Sequence, residues 1–365
     1  MKRIEIHISR KKCIWFATAI AALLLVWLLN LLRIALVGGQ ESQNMAARWG
    51  KDGGVAQISC FFSGTAGVTR DQVIGFGHQL DSMLLEESIT TDSTNESARL
   101  WTDAYSAVGS VTLVRENESM TVNALGVGGD FFYFHPLDLQ FGYYFFESDI
   151  NQDYVVIDED IAWQLFGSND VAGMQLSIGN KPYVVSGVIH RQDDRLSKAA
   201  GLEKPLVYLS YQALCEMTGG DLTLNHYEIV MPNPVTDYAY NKVKENLGIG
   251  EEAMVLVENT KRYSFLNGLK QIPKFGIRSM SEKAIIYPYW ENVARAKEDI
   301  NSLIVLLQVP FIVYLVVFLL VNMVLWYRHK KWTVESLWKK SKDFSYQLSA
   351  RWRMQRRKRK EERRS

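Results

Sequence analysis

The sequence predicts an α+β membrane protein in which two transmembrane helices flank an extracytoplasmic domain. Two long apolar stretches, one near each end of the 365 residues, predict the helices. Between them, strand and helix signals occur twice in β-α-β order, and a segment rich in strand signals separates the two occurrences. This order predicts a split β-α-β subdomain with a strand-rich subdomain inserted into it. A hydrophobic content of 47%, with 12% aromatic residues, is sufficient for a packed core.

The first apolar stretch, from Ile14 to Leu32, has nineteen residues and no charge. A helix of that length spans roughly 28 Å, close to the thickness of the hydrocarbon core of a bilayer. We predict an uncleaved transmembrane helix over residues 14–37, because the run is too long for a signal peptide and a poor cleavage site follows it. Residues 1–13 form a basic N-terminus, and the polar, glycine-rich residues 38–54 predict a linker.

The second apolar stretch, from Leu303 to Trp326, has twenty-four residues without a charge. Its single Pro310 is tolerable in a membrane helix, so we predict a second span over residues 303–327. The preceding residues 289–302 show helical spacing of apolar side chains and predict a stalk helix that continues into the span. Residues 328–365 form a basic tail.

The distribution of charge predicts the orientation in the cell membrane. Residues 1–12 carry a net charge of +4, and residues 328–365 carry fifteen Lys and Arg against four Asp and Glu, a net charge of +11. Because basic flanks are retained inside, both termini are predicted to be cytoplasmic and the central domain extracytoplasmic. The 20 basic and 35 acidic residues between the spans leave that domain acidic, which argues against nucleic acid as a partner.

The elements of the central domain follow from periodicity and from turn signals. In residues 55–118, a capping box from Thr69 to Gln72 begins a helix between two strands. The same order returns in residues 212–288, and residues 119–211 hold the inserted strands with one short helix. The predicted strands are Val55–Phe62, Gly109–Arg115, Met120–Gly126, Tyr154–Ile157, Met174–Ile178, Tyr183–Ile189, Leu206–Leu209, Tyr227–Met231 and Ala253–Glu258. The predicted helices are Arg70–Glu87, Glu159–Phe166 and Thr236–Leu247.

A dense, ordered motif lies between residues 130 and 189. It comprises Asp130, Phe131, Phe132, Leu139, Gly142, the run from Val155 to Gly167, Asp170, Gly173, Ile178, Tyr183, Val185, Gly187 and Val188. This motif resembles the MacB-like periplasmic core domain of ABC transporter permeases of the MacB/FtsX type. By the arrangement of elements the resemblance extends over most of residues 14–326, and it implies that residues 55–118 and 212–288 are similar to the porter-like subdomain of that family.

We interpret the motif as structural. Ala162, Leu165 and Phe166 are predicted to share one face of a short helix that Gly167 ends in a left-handed cap. Gly173 and Gly187 are predicted to serve turns or bulges where a side chain would clash. The residues assigned to this structural motif are Asp130, Phe131, Phe132, Gly142, Glu159, Ala162, Leu165, Phe166, Gly167, Gly173 and Gly187.

The sequence also departs from the family. Val171 follows Asp170 where the family usually has Pro, and Met174 replaces a common Lys. Family permeases continue into two further spans after the second one, so we expect a truncated form with only two spans. A GxxxxGK[ST] phosphate-binding loop is absent from the sequence.

Signals for catalysis or for a metal are weak. Between the spans there is no nucleophile elbow, no Ser-x-x-Lys and no HExxH. The histidines there are scattered singly: His78, His135, His190 and His226. His190, close to Asp193 and Asp194, is the best acid-base or metal candidate, although a solvated loop histidine is favoured. We therefore expect no enzymatic activity and no catalytic, cofactor or metal site.

Other side chains are assigned as follows. Isolated thiols at Cys60 and Cys215 are favoured over a disulfide bridge. The aromatic run from Phe131 to Phe146 favours core packing over an apolar ligand groove. The polar span residues Asn30, Gln308 and Asn322 favour hydrogen bonds between helices, and Arg33 is expected to extend to the membrane interface. In the tail, Trp338, Lys339, Lys340, Arg351, Trp352 and Arg353 predict contact with the inner leaflet.

Two hypotheses of function follow. The first is a non-enzymatic, permease-like subunit of an ABC-type transport or mechanotransmission assembly. Its partners would be the membrane, an ABC ATPase, and a further permease subunit or a second copy of the chain. The alternative is a membrane-anchored receptor or scaffold whose outer domain binds a peptide, a lipid or an envelope protein.

Overall fold

The computed structural model describes residues 10–50, 54–90, 98–275, 281–282, 284–329, 338 and 341–347. The chain divides into two compact units. One contains Met1–Leu28 and Gln308–Ser365, and the other contains Leu29–Leu307.

The helices of the described residues include two long ones, near the two ends of the chain. They are α1 (Arg10–Gly38), α2 (Met45–Trp49), α3 (Arg70–Glu86), α4 (Phe131–Phe134), α5 (Glu159–Phe166), α6 (Arg195–Ala199), α7 (Tyr211–Thr218), α8 (Tyr238–Asn246), α9 (Phe265–Gln271) and α10 (Tyr289–His329). Short 3₁₀ turns lie at Glu41–Gln43 and Ile272–Lys274. Residues 289–329 thus form one continuous helix.

The strands are β1 (Val55–Phe62), β2 (Thr102–Arg115), β3 (Glu118–Gly129), β4 (Asp138–Gly142), β5 (Tyr154–Asp158), β6 (Gln175–Ile178), β7 (Lys181–His190), β8 (Leu206–Ser210), β9 (His226–Pro232), β10 (Met254–Glu258), β11 (Ser281–Glu282) and β12 (Ile285–Ile286). The first ten form a single sheet in the order β10-β1-β9-β2-β3-β8-β5-β7-β4, with β6 paired to both β2 and β7. Strands β11 and β12 form a separate pair.

Four neighbouring strands, β10-β1-β9-β2, come from the two β-α-β signals, and each pairs antiparallel with its neighbour. The inserted strands continue the same sheet: β3 pairs with β2, and β8 pairs parallel with β3. One uninterrupted sheet therefore passes through all the segments that the sequence assigns to the two subdomains.

The start of α3 shows how the local sequence positions an element. The Thr69 side chain accepts a hydrogen bond from the Gln72 backbone N–H and caps the helix, as the motif predicts. The Gln72 side chain does not complete the capping box, because its Nε2 donates to the Leu247 carbonyl oxygen. The helix is thereby joined to the end of α8.

The four-strand part of the sheet has two different faces, because successive strand residues point to opposite sides. On the apolar face, the side chains of Ile58, Cys60, Tyr227 and Ile229 form one buried cluster with α3 and α8. The polar face carries, from the same two strands, Gln57, Ser59, His226 and Glu228, all buried. Each fully buried aliphatic side chain of the apolar face contributes about 1.5–3 kcal/mol to stability.

In the unit formed by the chain ends, α1 and α10 contact each other. The ring centroids of Trp15 and Phe318 are 5.2 Å apart, and the hydroxyls of Thr18 and Tyr314 are 2.7 Å apart. Gln308 Nε2 donates to the Val26 carbonyl oxygen at 3.4 Å, so this side chain joins the two helices. Both helices are long and apolar enough to cross a membrane, by length and composition.

One expectation needs correction. The segment predicted as a linker contains α2, and its Met45 and Ala46 are buried, because the apolar side chains of that helix pack against the sheet. Asn322 Nδ2 donates to the Phe318 carbonyl one turn earlier in α10, and its predicted hydrogen bond to another helix stays a prediction.

Candidate functional site

The polar face of the sheet continues into a network that joins α1 and α10 to the outer domain, residues 55–288. We call this network the collar. Its members are Arg33, Gln40, Gln43, Asn259, Arg262, Tyr263, Glu291, Glu298 and Asn301. The loop after β10 supplies the central side chains, because it leaves the edge of the sheet beside α10.

Arg262 is the centre of the collar and is only 4% exposed. Its guanidinium donates to both carboxylate oxygens of Glu291, at 2.7 and 2.6 Å. Arg262 Nε also lies 3.0 Å from Glu298 Oε1. Glu298 follows Glu291 by about two turns of α10. A planar guanidinium suits this two-point contact, which lysine cannot reproduce.

Two side-chain amide oxygens also accept hydrogen bonds from Arg262. Arg262 Nη1 donates to Gln43 Oε1 at 3.0 Å and to Asn259 Oδ1 at 3.2 Å. Burial alone would lower the pKa of Arg262, but Glu291 and Glu298 raise it well above its ordinary value. The side chain therefore stays charged. Removal of the Arg262 cation, or of the Glu291 and Glu298 carboxylates, would leave a buried charge without compensation.

The outer part of α1 enters the collar through Arg33. Arg33 Nε donates to Asn301 Oδ1 at 2.9 Å, and its Nη2 donates to the Tyr263 carbonyl oxygen at 2.8 Å. Hydrogen-bonding partners on the outer domain therefore hold the Arg33 guanidinium, and its position at the membrane interface stays a prediction. The Tyr263 hydroxyl completes the link by contacting Gln40 Oε1 at 2.8 Å.

Gln57 fixes the segment that the sequence assigns to a linker. Its Nε2 donates to the Ser42 carbonyl oxygen at 2.7 Å, and its Oε1 accepts from the Met45 backbone N–H at 2.9 Å. Because Gln57 is fully buried on β1, residues 42–45 are tied to the sheet and not to solvent.

Beside the collar, the polar face holds a buried cluster of His135, His226 and Glu228. His226 and Glu228 are alternate residues of β9 and so share a face, while His135 follows the last residue of α4. His135 Nε2 lies 3.0 Å from Glu228 Oε2, and His226 Nε2 lies 3.3 Å from Glu228 Oε1. The sequence shows these residues only as separate histidines and an ordinary acid.

The surroundings hold this cluster in place. The Ser59 hydroxyl donates to Glu228 Oε1 and accepts from Asn259 Nδ2, the latter at 2.7 Å, which links the cluster to the collar. The Trp290 ring, in the first turn of α10, lies 4.5 Å from the ring centroid of His135 and 5.3 Å from that of His226. The cluster is thus covered by the helix that the collar holds.

The net effect of burial and mutual contact is to lower the pKa of both His135 and Glu228. Burial lowers the pKa of His135, although Glu228 opposes this effect. Burial would raise the pKa of Glu228, but His135 and His226 outweigh it and hold that pKa well below its ordinary value. The carboxylate is therefore the stable form of Glu228.

The motif side chains differ in burial and in partners. Phe131 and Phe132 are buried with Trp290 and Tyr208, and Asp130 pairs with Arg99 at 2.8 Å. Ala162 and Leu165 are buried on one face of α5, and the half-buried Phe166 lies under Arg115.

The motif glycines act in two ways. Gly167 ends α5 with a φ of 70°, as predicted. At Gly142 and Gly187 the backbones of β4 and β7 approach closely: a Cβ on Gly142 would lie 2.0 Å from the Ser186 carbonyl oxygen, and one on Gly187 would lie 2.8 Å from that of Tyr143. Gly173 differs, since a Cβ there meets no atom and only its φ of 84° favours glycine.

His190 and Asp194, from the weak catalytic or metal candidate, contact different partners. His190 Nδ1 lies 2.7 Å from Glu159 Oε1, and Asp194 caps α6 by accepting from the backbone of Leu196 and Ser197. His190 is thus a half-exposed ion-pair partner of the motif residue Glu159.

The other side-chain assignments have mixed outcomes. Cys60 and Cys215 are both buried free thiols. Within the aromatic run, Phe134 and Phe145 join the buried cluster with Phe131 and Phe132, whereas Tyr133 and Tyr143 are exposed. In the tail, Trp338 is exposed; the remaining residues predicted to touch the inner leaflet, Lys339, Lys340, Arg351, Trp352 and Arg353, lie outside the described residues.

Comparisons with known proteins identify a family. A sequence model of the MacB-like periplasmic core domain matches residues 51–245. A stretch of 142 residues is 26% identical to the macrolide export ATP-binding/permease protein MacB of Neisseria gonorrhoeae, covering 38% of this chain and 21% of that protein. MacB of Neisseria meningitidis is 32% identical over 85 residues, which are 23% of this chain and 13% of that protein. The matched part is therefore well under two thirds of the length of these relatives.

Two solved structures are also similar. The periplasmic region of MacB from Actinobacillus actinomycetemcomitans has 18% identity and a TM-score of 0.39, covering 57% of this chain and 92% of that one. The extracellular domain of the ABC-type transporter YknZ from Gram-positive bacteria has 18% identity and a TM-score of 0.37, covering 55% and 99%. Since the family match spans more than half of the chain, from the start of β1 to the end of α8, the chain belongs to the MacB-like periplasmic core domain family.

Proposed function

We propose that the chain is a non-enzymatic, permease-like subunit of an ABC-type transport or mechanotransmission assembly. In this proposal the outer domain lies outside the cytoplasm, both termini lie inside, and an ABC ATPase and a further permease subunit or second copy complete the assembly. The printed names of the relatives, which combine ATP binding with a permease, support the partnership with an ATPase.

The observation that carries the proposal is the collar. A domain that responds to movement of membrane helices needs contacts that do not slip, and a buried two-point ion pair is directional where apolar packing is not. Arg262 holds Glu291 and Glu298 on α10, and Arg33 brings α1 to Asn301 and Tyr263. The collar therefore supplies fixed points of attachment for both helices.

The finer division of the outer domain belongs to the same proposal. Residues 55–118 and 212–288 would form the porter-like subdomain, with residues 119–211 inserted as the core-domain motif. The antiparallel order β10-β1-β9-β2 supports this division, because it is the order expected when two β-α-β units interleave in one sheet.

Purification of the full chain from its native membranes in mild detergent tests the partnership. We expect a P-loop ATPase to be recovered in a fixed ratio to the chain, together with another membrane subunit or a second copy. A matched preparation of the Lys181→Gln variant, changed at an exposed ion pair, should recover the same ATPase. Recovery of the chain without any ATPase, in several detergents, would contradict the proposal.

A cleft favours the receptor or scaffold as the second candidate function. It has a volume of about 500 Å³ and lies among residues 39–43, 136–138 and the start of α10, with Asp194 and Lys297 on its walls. That volume is within the range of small-ligand sites, and its walls carry both signs of charge. A ligand that binds the purified chain equally well with and without the ATPase would favour this reading.

A further inference from the structure

The His135, His226 and Glu228 cluster has features that an ordinary hydrogen-bonded group lacks. All three residues are at most 2% exposed, yet the His135 nitrogens, His226 Nε2 and Glu228 Oε2 have no hydrogen-bond partner among the described residues. The nitrogens approach the carboxylate to 3.0 and 3.3 Å without the alignment that a hydrogen bond requires. Buried polar atoms left in this way cost free energy unless something else pairs with them.

The spacing of the donor atoms fits a metal ion. The three ligand atoms lie within 4.8 Å of one another. Zinc bonds to histidine nitrogen and carboxylate oxygen at about 2.0–2.2 Å, so two ligands of a tetrahedral site are separated by about 3.3 Å. The two separations in the cluster are close to this value.

The donor set also restricts which ion fits. Magnesium and calcium prefer oxygen donors, whereas two imidazoles with one carboxylate suit zinc and its neighbours in the first transition series. No thiolate takes part, because Cys60 points to the apolar face. We propose that His135, His226 and Glu228 bind one structural divalent transition-metal ion, zinc in the first instance, between the sheet and the start of α10.

The surrounding residues match the outer shell that metal ligands need. The Ser59 hydroxyl donates to Glu228 Oε1, and the Ser106 hydroxyl lies 3.5 Å from His226 Nδ1. Such contacts fix the orientation of a ligand and leave the opposite atom for the ion. A water molecule would supply the fourth ligand. Full burial under Trp290 suits a structural site and not a catalytic one.

Binding of the ion would connect separate elements of the outer domain. The ion would tie His135, at the end of α4, to β9, and Ser59 and Asn259 connect the same carboxylate to Arg262. Metal binding would therefore stabilise the surface on which the first turn of α10 rests. This inference is independent of the proposed transport function, because the ion can be measured on the purified chain alone.

The test uses the full chain in detergent, purified without a polyhistidine tag and without added metal. Elemental analysis should find about one zinc per chain. After the ion is removed with a chelator, titration with Zn²⁺ should restore one equivalent, and Co²⁺ should give the absorption of a four-coordinate site. At a hundredfold excess over Kd, Zn²⁺ should raise the melting temperature by about 5–10 °C.

Three variants locate the site. His135→Gln and Glu228→Gln should lose the stoichiometric zinc and the zinc-dependent rise in melting temperature. His190→Gln, which changes a half-exposed histidine paired with Glu159, should keep both. Since a ligand variant could fail to fold, circular dichroism accompanies each measurement, and the stripped wild-type chain provides the test without any substitution.

Two results would reject the proposed metal site. A folded wild-type chain that binds no stoichiometric Zn²⁺ and shows the same melting temperature with chelator or Zn²⁺ would show that protons, not a metal, pair these groups. Equal zinc binding by folded Glu228→Gln and His135→Gln variants would place the ion elsewhere and also reject the proposal.

Discussion

The two faces of the four-strand sheet, β10-β1-β9-β2, are built from the same strands and differ in what covers them. The apolar face packs Ile58 and Ile229 against α3 and α8, whereas the polar face places Ser59 and Glu228 under α10. Apolar burial is strong but non-directional, so it stabilises the domain without fixing one register. Buried ion pairs and hydrogen bonds tolerate few geometries, so they suit the face that meets the membrane helices.

The difference between the two faces predicts that the largest change in the free energy of unfolding comes from a substitution at the centre of the collar. Arg262→Gln leaves the carboxylates of Glu291 and Glu298 buried without their cation, and we expect a loss of about 3–5 kcal/mol in the free energy of unfolding. Pulse proteolysis of the full chain in urea measures this loss. A destabilisation below about 1 kcal/mol would mean that water reaches the collar and that the pair does not hold α10.

The apolar face should respond differently to a change of similar size. Leu80 on α3 is fully buried, so Leu80→Ala should cost about 3 kcal/mol through the lost contacts and the cavity. Because Leu80 lies on the opposite side of the sheet, the zinc content and the contacts of α10 should remain as in the wild type. Loss of metal in a folded Leu80→Ala chain would break the separation between the two faces.

Asp103 is the exception on the apolar side, where it is paired in register with Ile229. Burial raises the pKa of Asp103 to about 7, although the Tyr227 hydroxyl opposes this shift. A carboxyl group with a raised pKa stabilises the fold while protonated, and this contribution is lost as the pH rises from the unfolded value near 4 through about 7. Between pH 5 and pH 8 the loss should be on the order of 1–3 kcal/mol.

The matched variant isolates this group from the other titrating residues. Asp103→Asn keeps the shape and removes the charge, so its unfolding free energy should fall less between pH 5 and pH 8 than that of the wild type. Identical pH profiles for the two chains, measured by urea unfolding, would show that Asp103 is solvated.

The smallest effect belongs to an exposed pair. Lys181 Nζ lies 2.6 Å from Glu216 Oε2, but the Lys181 side chain is 63% exposed. Water and salt weaken such a pair, so Lys181→Gln should change the unfolding free energy by less than about 1 kcal/mol. This variant is the control for Arg262→Gln. Both substitutions remove one cation from an ion pair, but only the ion pair of Arg262 is buried. A large loss in both would indicate that net charge, not burial, determines the effect.

The sequence predicts several of the elements well, because their signals are local. Strand β1 and helix α5 occur at the predicted residues, and α3 begins after Thr69 as its capping motif requires. Helical periodicity in α3 marks the face that is buried. These patterns depend on neighbours within a few residues, so one sequence is sufficient to read them.

The polar face could be predicted only in part, because its contacts join distant residues. Arg33 meets Asn301 across 268 positions, and neither residue has a local pattern that names the other. The alternation of His226 and Glu228 is a signal that a single sequence does contain. It was missed because the predicted strand begins at Tyr227, one residue after His226, which left that histidine outside the strand.

The linker prediction was wrong for a related reason. Polar composition suggested exposure for residues 38–54, yet Gln40 and Gln43 are buried as hydrogen-bonding partners of the collar. Polar residue types are exposed on average, so polar composition predicts exposure. An individual polar side chain is nevertheless buried where hydrogen-bonding partners are available.

In the proposed function, the collar makes the outer domain move with α10. Hydrogen–deuterium exchange of the ATPase-containing assembly, with and without ATP, tests it on two segments: residues 254–263 and residues 289–301. We expect ATP to change the exchange of both segments together in the wild type, and to change only the second in the Arg262→Gln variant. Exchange that is unaffected by ATP in both segments of the wild type, or coupled equally in the variant, would contradict the account.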